Sequence, residues 1–147
     1  MSRATARGRL LGLTPRLALG LALGATLCCA HLKDSGQDED LDHAVDLYWK
    51  ATHWQDAVAG SAFVAPEQRS DWLHTRDKQE KNLNVTSYEI QGEKIDKGGF
   101  SASAIVKVTW FLLPSLVEQT ELIQQRWVYL GSHWLVASEK GGPLPFP

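Results

Sequence analysis

The sequence predicts an α+β domain, with N-terminal helices packed on a curved four-stranded antiparallel sheet, and three observations carry that expectation. From Phe100 the alternate residues Phe100, Ala102, Ala104, Val106, Val108, Trp110 and Leu112 form an apolar row at period two, one buried face of a long strand. Before it, Leu41, Ala44, Val45, Tyr48 and Thr52 recur at steps of three and four, the spacing of a helix face. Turn-forming segments at Asp96-Lys-Gly-Gly99, Pro114-Ser115 and Gly131-Ser132-His133 separate the extended runs, which therefore join as a meander.

Residues 1–30 contain Arg3, Arg7, Arg9 and Arg16 without an acidic residue, followed by the apolar run Leu17–Leu27. That is the order of an export signal, and the run is too short to span a bilayer comfortably. It ends at Cys28-Cys29-Ala30, which admits either cleavage after Ala30 or lipid attachment to Cys28 or Cys29. Residues 31–40 are polar, acidic and without periodicity, the composition of a linker. The domain proper is expected over 41–138, with 139–147 a Gly/Pro-rich tail.

Asp40 or Asp42 is a natural N-cap for a first helix over Leu41–Ala59, with Leu47, Trp49, Trp54 and Val58 widening its apolar arc and Gly60 as its stop. Pro66 and Glu67 suit the first turn of a second helix reaching about Asn82. Its apolar content is chiefly Trp72 and Leu73, so it should lie on the surface as the least stable element, with the charge run Arg76–Lys81 facing solvent. A strand over Val85–Ile95 should place Thr86, Tyr88 and Ile90 on one side. In the run Leu116–Leu130 apolar and polar residues mix on both faces, which a β-bulge or strong coiling would reconcile, and Trp134–Ser138 forms the last strand.

Residues 31–147 carry eleven Lys and Arg against seventeen Asp and Glu, a formal charge of −6. Without a basic run such a domain is no nucleic-acid binder. Both cysteines precede it, leaving no thiol for a disulfide, a nucleophile or a thiolate metal site. His31, His43, His53, His74 and His133 show no metal-ligand spacing, and the neighbours His53/Asp56 and His74/Asp77 read as solvated pairs. No metal or cofactor is implied.

Two helices followed by a meander that closes Trp127-Val-Tyr-Leu-Gly-Ser-His-Trp134-Leu-Val-Ala137 resemble the nuclear transport factor two-like superfamily, the cystatin-like cone fold, over about residues 41–138. The resemblance implies a conical interior between sheet and helices, for which Tyr48, Trp49, Trp72, Trp110 and Trp127 are the candidate lining residues. The end of the N-terminal segment is similar to a bacterial lipoprotein signal, although Leu is missing from the third place before either cysteine. It implies a domain tethered to the membrane on the periplasmic side of the envelope, or else secreted.

The superfamily hosts isomerases, dehydratases, carriers and assembly components, so function has to be argued from residues. A cavity enzyme would need an inward carboxylate opposite a hydroxyl. Tyr48 is the best-placed hydroxyl, yet the assignable strand rows direct no Asp, Glu or His inward, and neither Asp71 nor Glu121 has a clear inward direction. Tyr48 is therefore expected to be packing, and Tyr48→Phe to cost no more than about 1–1.5 kcal/mol. The reading placed first is a non-enzymatic domain that binds another envelope protein or serves structurally. A carrier for a small apolar ligand comes second and a cavity enzyme third.

Overall fold

The computed structural model describes residues 32–79, 81–144 and 146. Helices α1 (Leu32–His53), α2 (Ala57–Ser61) and α3 (Arg69–Gln79) precede strands β1 (Leu83–Ile95), β2 (Ser101–Leu112), β3 (Gln119–Leu130) and β4 (His133–Lys140). The strands form one antiparallel sheet in the order β1-β2-β3-β4, the anticipated meander. At the β3–β4 turn both Gly131 and Ser132 have positive φ, 57° and 71°, as a two-residue turn that matches strand twist requires.

Burial follows the alternation of β2: Ala102, Ala104, Val106, Val108 and Trp110 are each at most 6% exposed. The expected row is too long at both ends, because Phe100 and Leu112 are exposed. Against this row pack Leu41, Ala44, Val45, Tyr48 and Trp49 of α1, Trp72 of α3, Ile123 and Trp127 of β3, and Trp134 and Val136 of β4. The free edge of β4 is covered where Val136 N–H donates to Phe63 O at 2.7 Å and Val64 bridges Val136, so the edge presents less unpaired backbone.

The first helix differs from expectation at both ends. It begins at Leu32, so the acidic stretch read as a linker is helical. It ends at His53 rather than Ala59, because the Gln55 N–H bonds Thr52 O at 3.1 Å and the Asp56 N–H bonds Ala51 O at 2.8 Å with Gln55 left-handed at φ 55°. That is a Schellman closure with Gln where Gly usually stands, which hid it from the sequence. Asp56 then caps α2 by accepting from Ala59 N–H at 2.9 Å. The break turns Trp54 and Val58 out of the expected arc, and both are exposed. Gly60, expected to be a stop, is buried inside α2, where a Cβ would come within 2.9 Å of the Trp72 ring.

Pro66 lies in the turn before α3, which starts only at Arg69. In β1 the extra residues of two bulges, Thr86 and Gln91, shift the facing. Val85, Tyr88 and Ile90 share the inner side while Thr86 is exposed, contrary to the expected Thr86–Tyr88–Ile90 row. The second bulge brings Glu93 and Ile95 inward. Strand β4 runs to Lys140, past the expected domain boundary, and Leu144 of the tail packs into the core.

Candidate functional site

The interior between sheet and helices is built around a charged pair. Arg76 and Glu139 side chains are each 3% exposed, with Arg76 Nη2 at 3.5 Å from Glu139 Oε2. Sequence reasoning placed Arg76 on a solvated face and found no inward acid, and both expectations are overturned.

Arg76 lies one helical turn after Trp72, so the two share a face, and its guanidinium carbon sits 4.7 Å from the centre of the Trp72 ring. The four-residue spacing to a buried Trp was the signal that could have found it. Glu139 had no such signal. In β4 strict alternation from Trp134 and Val136 selects Ser138 and sends Glu139 outward. The pairing slips between Arg126 and Trp127, Trp127 facing Val136 and Arg126 facing Ser138, so Ala137 is the extra residue of a bulge. One inserted residue reverses the facing of everything after it and aims Glu139 into the interior. The bulge anticipated in β3 thus lies in β4.

The pair is wired to its surroundings. Arg76 Nη2 donates to the Tyr48 hydroxyl at 2.8 Å, and the Glu139 carboxylate lies close enough for its charge to act on that hydroxyl. Gln125 Nε2 donates to Glu139 Oε1 at 2.6 Å. Gln125 Oε1 accepts from Trp49 Nε1 at 3.2 Å and from Trp127 Nε1 at 3.3 Å. Tyr48 meets the Trp49 and Trp127 rings edge-on at 5.7 and 5.9 Å. Burial pushes the Glu139 carboxyl up despite Arg76, Gln125 and the Tyr48 hydroxyl, which pull it down. Burial, then the Glu139 charge, also pushes the Tyr48 hydroxyl up.

The expected lining residues Tyr48, Trp49, Trp72, Trp110 and Trp127 are therefore all in one interior, at 0–6% exposure, with Trp110 toward the start of β1, paired with Val85. Cys28 and Cys29, the expected lipid sites, lie outside the described residues. Asp71 is exposed, and Glu121 is exposed and accepts from Gly142 N–H at 2.8 Å. His43, His74 and His133 are exposed, while His53 is half-buried with its ring 5.0 Å from that of Trp54.

A carboxylate facing a tyrosine has the parts of an acid–base site. Here, however, Glu139 is occupied by Arg76 and Gln125, and a base has to reach the proton it takes. With Tyr48, Trp49, Trp72, Arg76, Gln125 and Trp127 each at most 2% exposed, the arrangement joins α1 and α3 to β3 and β4. Its chemistry is that of a buried clasp.

No family model matches the sequence, and no curated protein matches it. Solved structures do resemble the fold. A Mycobacterium tuberculosis protein of unknown function superposes with a TM-score of 0.61 at 9% identity, covering 78% of this chain and 75% of its own. A ketosteroid isomerase-like protein from Erwinia carotovora atroseptica gives 0.55 at 13%, covering 69% and 91%. An NTF-2 like protein of unknown function from Shewanella oneidensis gives 0.54 at 13%, covering 69% and 95%. Helices followed by a four-stranded antiparallel meander, together with these superpositions, give this chain the nuclear transport factor two-like cone fold.

Proposed function

We propose that the chain is a non-enzymatic domain, exported and tethered to the membrane through its N-terminal segment, that binds another envelope protein with its outer surface. The observation that carries this reading is the sealed clasp: the one inward carboxylate opposite Tyr48 is ion-paired, hydrogen-bonded and 3% exposed, and indoles fill the space around it. A carrier or a cavity enzyme needs open volume at that place. Supporting the tether are the Arg-bearing start, the apolar run and the Cys28-Cys29 pair.

The facing of Tyr48 and Glu139 favours a second reading, a cavity enzyme of the isomerase or dehydratase type, which requires the clasp to open for substrate. Photo-crosslinking from exposed positions Ile105, Leu122, Val58 and Leu116 of the full-length chain in the cells that make it separates the two. Binding gives a protein adduct at a subset of these positions, unchanged in Tyr48→Phe. A turnover lost in Tyr48→Phe, with no adduct, would overturn it. Intact mass of the membrane-extracted chain tests the tether: acylation at Cys28 or Cys29 supports it, and a soluble form starting at His31 removes the lipid.

A further inference from the structure

On the outer face of the sheet, away from the helices, two cross-strand rows run through all four strands. One is Lys94, Ser103, Arg126 and Ser138, and the next is Gly92, Ile105, Gln124 and Lys140. All are exposed. Together they hold three cations and no acid, on a domain whose residues 31–147 sum to −6. The neighbouring charges are engaged elsewhere: Glu89 pairs with Lys107 at 3.9 Å, and Asp96 accepts from Ser101 Oγ within its own hairpin. Lys94, Arg126 and Lys140 have no ion pair with any described residue.

Short side chains at Gly92, Ser103 and Ser138 sink a trough between the longer ones, and a groove lies over Ser103, Ile105, Gln124, Arg126, Ser138 and Lys140. Strands about 4.8 Å apart make a four-strand row about 14 Å long, the reach of four or five residues of extended chain. Exposed Ile105, with Leu122 on the adjoining row, offers an aliphatic foothold between the cations.

We propose that this groove receives an extended acidic peptide segment of another protein, its carboxylates on Arg126, Lys140 and Lys94 and an aliphatic side chain on Ile105. The assignment rests on the binding reading above and names the partner's chemistry. Charge complementarity selects the occupant. A planar anionic bilayer meets a trough on a twisted sheet poorly. A second copy would bring its acidic α1 face, with Asp38, Asp40 and Asp42 exposed, but that face lies across the sheet from the groove, so copies would stack head to tail without closing.

Fluorescence anisotropy of a labelled Glu-Leu repeat octapeptide, titrated with the purified full-length chain, tests it. Binding at low salt should weaken several-fold between about 50 and 300 mM salt as the charges are screened. Arg126→Glu and Lys140→Glu should each weaken it about tenfold, and Lys50→Glu on α1 should leave it unchanged. Absence of binding, or equal loss in Lys50→Glu, overturns the proposal. So does tighter binding to phosphatidylglycerol vesicles that the same two variants abolish, or concentration-dependent self-association that they abolish. Crosslinking separates this from the wider reading: an adduct at Val58 or Leu116 but at neither Ile105 nor Leu122 overturns the acidic groove and leaves a binding domain, whereas no adduct at any of the four positions overturns both.

Discussion

Arg76 and Glu139 meet with 3% of either side chain exposed, and two charges taken out of water are costly to keep. Their geometry is only moderate, with a 3.5 Å contact through one nitrogen and Arg76 Nη1 left without a hydrogen-bond partner among the described residues. Removing one partner strands the other, so Arg76→Met alone should cost about 3–5 kcal/mol, whereas Arg76→Met combined with Glu139→Leu should recover most of that loss. Urea unfolding of the single and double variants measures the coupling, and additive losses would show that the two do not act as a pair. The Tyr48 hydroxyl lies between these charges, so its expected worth changes too. Tyr48→Phe should cost about 1.5–3 kcal/mol, the range for hydrogen bonds to charged groups, rather than the smaller figure that fits an ordinary core tyrosine.

The elements position this cluster through small departures from regularity. Ala137 is the extra residue of the β4 bulge, and deleting it leaves Ser138 opposite Arg126 and Glu139 opposite Gln125 in regular alternation, so Glu139 should stay inward and the loss should fall well below the about 3–5 kcal/mol of an unpaired Arg76. A shift of the urea midpoint as large as that of Arg76→Met would show that the bulge itself is needed to bring Glu139 to Arg76. Strand β2 is regular by comparison. Trp110→Ala should cost about 3–5 kcal/mol by leaving a large cavity. Lys107→Ala, on the outer face in an exposed pair at 3.9 Å from Glu89, should cost well under about 1 kcal/mol. Comparable midpoints for the two would reverse the facing of the strand.

Across the whole molecule, acidity is uneven and acts on stability. Where α1 passes the end of β1, Glu93 faces Asp42 and Asp38, and burial, then those two charges, push its carboxyl up to about 7 from an ordinary 4.5. Between those values the folded state holds a proton that the unfolded state has released, so stability falls as pH rises through that window. Glu139 acts in the same direction. Because Glu93 is only half-buried, solvent screening limits its share to about 1 kcal/mol. Glu93→Gln should therefore raise the melting temperature at pH 8 and leave it nearly unchanged at pH 5. A larger gain at pH 5 than at pH 8 would contradict the assignment.

The sequence alone determined that helices precede four strands, the meander, the inner row of β2 and the aromatic interior, because those follow from local periodicity and turn chemistry, which neighbouring residues carry between them. Trp72 and Arg76 were half legible: their spacing was present, but the charge of the helix outweighed it. The tertiary structure alone decided that Gln55 would end α1, that Gly60 would admit the Trp72 ring, and that Glu139 would face Tyr48. Each of these involves a residue outside its own element: the Gln55 side chain donates to Leu83 O at 2.6 Å, Gly60 meets Trp72 of α3, and Glu139 meets Arg76 of the same helix. The bulge at Ala137 arises in the pairing of β4 with β3, and Glu139 is held inward by Arg76 of α3 and Gln125 of β3, partners that period-two reading within β4 does not contain.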